Sequence, residues 1–269
     1  MDIQDKIMKQ QLSADIHKAR GKHHFILAIA ICAMLNACSS FTTEKGIKGT
    51  PLVGHWQFDE SSGTVVRDSS PQKNNGTLVG GPTWEANGQF NGALYFDGKD
   101  DYVSLGDDWL NIASELTVSL WVNFEKSSHH YQTLIQRGIH VYPFKVQLAG
   151  NHIRTAVRTT QDGTTSQTHY LSSITELAEK RWYHVAMTYQ NGLYILYIDG
   201  KKETKDVVSG ELVVDNHAMN IGAQPHDSSH MQGLLDDVRI YNKALNPRQV
   251  QALFKGQAPG TTRPKRPAQ

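Results

Sequence analysis

Cysteine is scarce in this chain, and its distribution excludes several classes of site. The sequence contains two cysteines, Cys32 and Cys38, and none follows Cys38. The long remainder therefore has no disulfide framework, no zinc site with thiolate ligands and no cysteine nucleophile. A domain formed by these residues must be stabilised by its hydrophobic core, and a bound metal ion could add further stability.

An excess of either charge is also missing. Lys and Arg together number 27 and Asp and Glu 26, which gives a formal net charge of +1 at pH 7. A nucleic-acid-binding domain is expected to carry a basic stripe or patch. This composition does not indicate one, so we predict that nucleic acid is not a partner.

The chain has one notable apolar run near its N-terminus, from Phe25 to Leu35. It is shorter than the ~20 residues of a membrane-spanning helix, and a basic stretch precedes it, as in a secretory signal. Residues 35–38, Leu-Asn-Ala-Cys, then resemble the lipobox of bacterial lipoproteins. That resemblance implies removal of residues 1–37, acylation of Cys38 and attachment to the bacterial envelope, with Ser39 compatible with the outer membrane. A plain secretory signal, with Cys38 present by chance, is the alternative.

Composition divides the rest of the chain into three parts. Residues 38–51 are polar and without periodicity, which predicts a flexible tether. Residues 257–269 are rich in proline and basic residues, which predicts a disordered tail. We therefore expect one folded domain, at residues 52–256.

Period-two alternation dominates that domain. Leu116 to Phe124 places apolar residues on one face and Trp121 on the other, so this strand is expected to be covered on both sides. Two further strands flank the turn residues 190–192, Gln-Asn-Gly, and predict a β-hairpin. Other strands are predicted at Val53–Phe58, Leu94–Phe96, Tyr102–Leu105, Thr133–Gln136, Lys145–Leu148, His152–Val157, Ser166–Leu171, Ala218–Ile221 and Leu234–Tyr241. One short helix is predicted after Asn246-Pro247, an N-cap followed by proline at the first helical position.

Four stretches of the sequence occur in the order found in one family. They are residues 54–77, which begin Gly-His-Trp-Gln-Phe-Asp-Glu, Ala93–Val103, Trp182–Gly200 and Gly233–Pro247. Together they resemble the laminin-G-like jelly roll of the concanavalin A-like lectin and pentraxin class. The resemblance implies an all-β fold, a two-sheet antiparallel β-sandwich with one short C-terminal helix. It does not identify a ligand, since this fold supports many functions.

Aspartates cluster at two places. A turn between two predicted strands carries Asp97, Asp100 and Asp101, and the adjacent Asp236 and Asp237 open a late strand. Such clustering is costly unless a cation or hydrogen bonds compensate it, and carboxylate oxygens suit Ca²⁺. The alternative is that these residues form turns and cap strands.

The family resemblance extends the calcium hypothesis. Asp100 and Asp101 match the acidic pair of a pentraxin calcium site, which the segment from Gln224 to Asp227 would face. A second, structural cation would lie between Asp59 and Asp236 or Asp237, because the first and last strands are neighbours in this fold. The pentraxin glutamate near that glutamine is absent here, which argues against the version with two calcium ions.

The motif search favours a protein without catalytic residues. Glycosidases of this fold use Glu-x-Asp-x-x-Glu on one strand, and no glutamate of this chain begins that pattern. Gly-x-Ser-x-Gly and His-Glu-x-x-His are also absent. His184 lies in a strand typical of the family and is predicted to be structural.

We therefore predict a binding module. Sugar binding uses aromatic platforms with polar groups, and the candidates are Tyr131, Tyr142, His169 and Tyr170, each of which has core or rim packing as its alternative. The expected partner is a carbohydrate or a surface protein. A structural or protein-interaction role in the envelope, without sugar binding, and a glycan hydrolase or lyase are the other hypotheses. Oligomeric state is left open.

Overall fold

The computed structural model describes residues 51–107, 114–127, 130–138, 142–214, 216–224 and 229–259. The predicted signal, the lipidation site Cys38 and most of the tether and tail lie outside these residues, and so does Asp227. The strands and the helix are β1 (Leu52–Trp56), β2 (Val65–Val66), β3 (Gly76–Val79), β4 (Thr83–Glu85), β5 (Ala93–Asp97), β6 (Tyr102–Ser104), β7 (Glu115–Phe124), β8 (Tyr131–Arg137), β9 (Phe144–Ala149), β10 (His152–Thr160), β11 (Ser166–Ser172), β12 (Tyr183–Gln190), β13 (Leu193–Ile198), β14 (Lys201–Val207), β15 (Glu211–Leu212), β16 (Met219–Ile221), β17 (Gln232–Tyr241) and α1 (Pro247–Phe254).

These strands form two antiparallel sheets, which confirms the predicted β-sandwich. The first sheet has the order β14-β13-β12-β7-β17-β5-β4, and β1 also pairs with β17. The second sheet has the order β11-β10-β9-β8-β16-β6-β3-β2, and β15 also pairs with β10. The first and last strands are therefore hydrogen-bonded neighbours, as the family resemblance implies.

The core between the sheets follows from the alternation in the sequence. Leu116, Leu120 and Phe124 of β7 are fully buried in it, together with the inward-facing residues of β8, β9 and β10. Burial of apolar surface at about 25 cal/mol per Å² is the main stabilising contribution in a domain without disulfides.

The predicted hairpin between β12 and β13 is confirmed in detail. Gln190 pairs with Leu193, which leaves a two-residue loop. Its residues, Asn191 and Gly192, have φ of 46° and 84°. Positive φ at both positions defines the type I′ turn, whose twist matches that of the flanking strands and for which Asn-Gly is the preferred sequence.

Helix α1 covers the outer face of the first sheet. The Asn246 side chain accepts hydrogen bonds from the backbone N–H groups of Arg248 and Gln249, both at 3.0 Å. The Gln249 side chain accepts one in return from the Asn246 N–H, so the start of the helix is a capping box. A second hydrophobic cluster joins the helix to the sheet; its members are Ala186, Ile195, Tyr197, Tyr241, Leu245, Val250 and Leu253.

Candidate ligand-binding face and acidic cavity

The outer face of the second sheet carries an exposed group of aromatic and basic side chains. Along β10, Ile153 and Val157 point into the core, so Arg154, Ala156 and Arg158 point outward. Cross-strand pairing places Tyr170 of β11 on one side of Ala156 and Lys145 of β9 on the other. Residues from distant parts of the sequence therefore share one surface. We call it the tyrosine–arginine face and define it as Tyr131, Tyr142, Lys145, Arg154, Arg158 and Tyr170.

Arg154 lies at the centre of this face. Its guanidinium carbon is 3.9 Å from the ring centroid of Tyr170 and 5.4 Å from that of Tyr131. The guanidinium also donates a hydrogen bond to the Tyr131 hydroxyl. The hydroxyls of Tyr142 and Tyr170 are hydrogen-bonded at 3.0 Å. Three of the four predicted ligand-binding residues are thus brought together around an arginine that sequence reasoning missed.

The exposure of two of these tyrosines is unusual for this molecule. Tyr131 is 45% exposed and Tyr170 is 46% exposed, whereas Tyr189, Tyr194 and Tyr197 are fully buried. Burial raises the pKa of Tyr142 to about 12, and the hydrogen bond with Tyr170 adds to that increase. At neutral pH the Tyr142 hydroxyl therefore keeps its proton and can donate or accept a hydrogen bond.

The fourth candidate, His169, does not belong to this group. It is adjacent to Tyr170 in β11, and successive side chains of a strand point to opposite faces. Its Nε2 atom is 3.1 Å from the hydroxyl of Thr159. That hydroxyl donates its proton to the Ser209 carbonyl at 2.6 Å, so His169 donates to it through Nε2–H.

The predicted acidic turn is a compact cluster. Asp97, Asp100 and Asp101 each offer a ligand oxygen, and these atoms lie within 4.8 Å of one another. Several of these oxygens already accept hydrogen bonds from groups within the same turn. Asp97 accepts from the Lys99 ammonium and from the Lys99 N–H, both at 2.9 Å, and Asp101 accepts from the Asp97 N–H at 2.8 Å. The turn is therefore largely capped from within.

The second acidic group lines a cavity of about 470 Å³ between β17 and the loops that follow β1 and β4. Asp236 is fully buried there. One of its oxygens accepts from the Phe90 N–H at 2.8 Å, and the other has no partner among the described residues. Burial raises its pKa to about 7, with the charges of Asp237 and Asp59 adding to the increase.

The carboxylates of Asp59 and Asp237 differ in the groups that donate hydrogen bonds to them. Asp59 accepts from the Gly92 N–H at 2.9 Å. Asp237 accepts from the His55 imidazole at 2.7 Å and from the Arg239 guanidinium at 2.9 Å and 3.0 Å. Asp237 is therefore already paired with His55 and Arg239, whereas the described contacts of Asp59 and Asp236 in the same cavity are to backbone N–H groups and the Asn91 amide. A buried carboxylate oxygen without a partner is costly. Oxygen donors of this kind fit Ca²⁺.

A local bulge explains why both adjacent aspartates are buried. The pairing of β17 with β7 shifts register between Asp236 and Arg239, and Asp237 has a φ of 50°. A bulge inserts an extra residue and redirects a side chain. Strict alternation would have placed the two carboxylates on opposite faces of the sheet.

The predicted partner segment of a pentraxin-like site is described only in part. Gln224 is 3% exposed, and its side-chain oxygen has no partner among the described residues. Because Asp227 lies outside those residues, the facing arrangement stays a prediction.

A serine–histidine pair exists in the molecule but not in a cleft. The Ser119 hydroxyl is 2.9 Å from Nε2 of His184. Burial lowers the pKa of His184 to about 3, and Trp121 and Phe254 cover its ring at centroid distances of 5.3 Å and 6.1 Å. The other ring nitrogen, Nδ1, has no partner among the described residues. No substrate can reach this pair, so it belongs to the packing beneath α1.

The folded domain matches a known protein family. Residues 97–251 match the Laminin_G_3 family model, described as the concanavalin A-like lectin/glucanases superfamily. The chain belongs to this superfamily. The predicted laminin-G-like, concanavalin A-like jelly roll is thereby confirmed.

One relative of the chain is a large receptor. The chain is 26% identical over 171 residues to the adhesion G-protein coupled receptor V1 of Danio rerio. The match covers 60% of this chain and only 3% of the receptor. The similarity therefore concerns one domain of a far longer protein.

Solved structures show the same fold. Domain 4 of the extracellular arabinanase AbnA from Geobacillus stearothermophilus, in complex with arabinotriose, has a TM-score of 0.61 and 22% identity; the match covers 77% of this chain and all of that domain. The binding domain of Paraclostridial Mosquitocidal Protein 1 has a TM-score of 0.65 and 15% identity, with 76% and 52% coverage. The binding domain of botulinum neurotoxin serotype D has a TM-score of 0.60 and 16% identity, with 77% and 52% coverage.

Among the described residues, no helix has the length and apolar character needed to span a membrane.

Proposed function

We propose that this protein is a non-catalytic binding module, attached to the bacterial envelope through lipid on Cys38, that recognises carbohydrate with the tyrosine–arginine face. The observation that carries the proposal is the gathering of Tyr131, Tyr142 and Tyr170 around Arg154 on an open sheet face. Aromatic rings of this kind provide flat platforms, and hydroxyl and guanidinium groups supply directional hydrogen bonds.

The comparisons support a binding role. Domain 4 of the arabinanase was solved with arabinotriose, and the two toxin structures are named as binding domains. These likenesses are below 25% identity, so the argument for sugar binding rests on the side chains of this chain. A partner protein at the cell surface is the alternative ligand.

The arrangement of charges supports the absence of catalysis. Hydrolysis or elimination requires at least two groups positioned in one cleft. On the outward strand positions of β8 to β11, the described residues include no Asp or Glu. The face therefore offers a surface for binding without an acid–base pair of carboxylates.

A structural Ca²⁺ would fit the acidic cavity. Asp236 and Asp59 would hold it, because Asp236 has the unpartnered buried oxygen and Asp59 lines the same cavity. The ion would supply positive charge that fixes the loop after β4 to β17. Asp97, Asp100 and Asp101 form a second acidic group, with less free capacity because Lys99 already compensates it.

Binding is tested with the fragment from Thr50 to Gln269, which contains both hydrophobic clusters and is expected to fold alone. On a glycan array we expect retention of at least one polysaccharide class, and loss of that retention in Tyr131→Ala and Tyr170→Ala. Tyr95→Ala, on β5 of the other sheet, is the matched control. Unchanged retention in both face variants would contradict the proposed site, and no retention by the parent fragment would favour a protein partner.

The anchor is tested separately in the full chain. Radioactive palmitate should label the protein, and Cys38→Ala should abolish the label and the partition into detergent. A label that persists in the variant would contradict lipidation at Cys38.

A further inference from the structure

The tyrosine–arginine face has a local charge that the whole chain lacks. The chain carries 27 basic and 26 acidic residues, yet the outward positions of β8 to β11 include Lys145, Arg154 and Arg158. None of the described residues at these positions is Asp or Glu. Composition alone would place both signs there. The strand positions of this face therefore contribute basic side chains and no acidic ones.

Arg154 differs from Arg239 of the other sheet in what it contacts. Arg239 is paired with the Asp237 carboxylate at 2.9 Å. The contacts of the Arg154 guanidinium with described residues are two aromatic rings and one neutral hydroxyl, that of Tyr131. A guanidinium has five N–H donors in a planar fork that matches carboxylate and sulfate oxygens. None of the hydrogen bonds of the Arg154 guanidinium with described residues is to a carboxylate.

The two rings also hold the guanidinium in place. Its carbon is 3.9 Å from the Tyr170 centroid, which is a close stacking distance. The hydrogen bond to Tyr131 fixes the orientation within that plane. An anion that binds here meets a group whose rotational freedom is already restricted, so less entropy is lost on binding.

Two carboxylates at the margins of the face are engaged elsewhere, and a third, Glu211 of β15, lies opposite Thr160, six residues along β10 from Arg154. Asp162, in the turn between β10 and β11, accepts from the Thr164 and Thr165 N–H groups at 2.9 Å and 2.7 Å. Glu203 of β14 accepts from the Ile174 and Thr175 N–H groups at 2.8 Å and 2.9 Å. Asp162 and Glu203 cap backbone groups, so they are not counter-ions of the face.

From this we infer that the ligand of the face is an anionic polysaccharide, whose carboxylate or sulfate groups pair with Arg154 while its sugar rings pack on Tyr131 and Tyr170. The inference rests on the proposed carbohydrate-binding function and specifies the ligand class. Lys145 lies beside Ala156 on the neighbouring strand, and Arg158 lies four residues beyond Arg154 in β10, so the basic residues extend along one direction of the face. Carboxylate and sulfate share this chemistry, so the experiment separates them.

The test compares polymers with the same backbone and different charge. The Thr50–Gln269 fragment is titrated with polygalacturonate and its fully methyl-esterified form, and with dextran sulfate and dextran. We expect binding to the charged member of at least one pair, little binding to its neutral counterpart, and weaker binding as salt rises. Arg154→Gln should weaken that binding by about ten- to a hundredfold, the range for losing a hydrogen bond to a charged group.

Two variants and one polymer provide the controls. Lys202→Gln removes the same charge from β14 of the other sheet and should leave affinity unchanged. Arg154→Lys keeps the charge but loses the planar fork, and we expect only partial recovery. Poly-glutamate has carboxylates without sugar rings and should bind weakly. Thermal melting of each variant verifies that it is folded.

Each contrary outcome has a separate meaning. Equal binding of neutral and charged members, abolished by Tyr170→Ala but not by Arg154→Gln, would overturn the anionic ligand and keep the carbohydrate function. Poly-glutamate binding as tightly as the charged polysaccharides would overturn the anionic-glycan inference in favour of an acidic protein partner. Binding of none of these polymers, together with an empty glycan array, would overturn the proposed function itself.

Discussion

The outer faces of the two sheets differ in how they are covered, and the difference separates stability from binding. On the first sheet, α1 lies over β7 and β12, where Phe254 stacks on Trp121 at 5.6 Å. Trp121 is only 4% exposed. On the second sheet, Tyr131 and Tyr170 also project outward from strands, but each is nearly half exposed. Aromatic side chains of similar size therefore serve packing on one face and are available to a ligand on the other.

Polar groups follow the same division. Beneath α1, the Ser119–His184 pair is sealed from water, and burial keeps the histidine neutral. On the open face, the Arg154 guanidinium contacts rings and a hydroxyl. A buried charge without a partner would be destabilising, so a cationic binding group requires the uncovered sheet.

The largest expected effect is on the covered face. Trp121→Ala should lower the free energy of unfolding by about 3–5 kcal/mol, because it removes a large buried side chain and leaves a cavity beneath α1. Urea denaturation of the Thr50–Gln269 fragment measures this change. A loss of less than about 1 kcal/mol, within the range of ordinary surface substitutions and small core changes, would mean that α1 contributes little to stability.

The acidic cavity should contribute next. In protein freed of metal by a chelator, Ca²⁺ at a hundredfold excess over its dissociation constant should stabilise the fold by about 2.7 kcal/mol. Asp236→Asn should remove this response, while Asp100→Asn, in the exposed acidic turn, should retain it. Differential scanning calorimetry provides the measurement. If the parent protein melts identically with and without Ca²⁺, neither acidic group is a calcium site.

Acid should destabilise the covered face through His184. Burial lowers its pKa to about 3 from the ordinary 6.5. Between these values the unfolded chain binds a proton that the folded protein excludes, so the contribution of His184 to the free energy of unfolding decreases by about 1.4 kcal/mol per unit of decreasing pH. Above pH 6.5, His184 is neutral in both the folded and the unfolded protein, so this loss of stability does not occur there. Asp236, whose pKa is raised to about 7, contributes the opposite slope between pH 7 and its ordinary pKa of 3.8. His184→Gln retains Asp236, so the free energy of unfolding of the parent minus that of the variant should decrease as pH falls below 6.5. A difference that does not change with pH would show that another group is responsible.

Much of the fold could be predicted from sequence because its core strands alternate regularly. The strand β14, Lys201–Val207, was not predicted, since its residues are mostly charged and exposed. It is an edge strand, where lysines discourage pairing with other chains and no apolar face is required. The pattern that marks a central strand is therefore absent from it.

The binding face could be predicted only in part. Tyr131, Tyr142 and Tyr170 were identified by residue type, but alternation already places His169 opposite Tyr170. Arg154 was missed, although its outward position in β10 was a usable signal. The partnerless oxygen of Asp236 depends on a bulge and on the distant Phe90 backbone. Contacts of that kind are set by tertiary packing and leave no local pattern.

Substitutions on the open face should have the smallest effect on the free energy of unfolding and the largest effect on ligand affinity. Tyr170→Ala removes a ring that is 46% exposed, so little apolar area leaves the core. The free energy of unfolding should change by no more than about 0.5–1 kcal/mol, as for surface substitutions that lose a partly exposed contact. Affinity for a polysaccharide identified on the array should fall at least about tenfold, because the stacking platform and the support for the Arg154 guanidinium are lost together.

Tyr170→Phe isolates the contribution of the hydroxyl. It keeps the ring beneath Arg154 and removes the hydrogen bond to Tyr142. We expect it to retain most of the affinity that Tyr170→Ala loses, since the ring supplies the platform and holds the guanidinium. Urea denaturation and calorimetric titration on the same samples separate stability from affinity. If Tyr170→Ala unfolds as readily as Trp121→Ala, the second sheet also uses its outer aromatic residues for packing, and the distinction between the two faces fails.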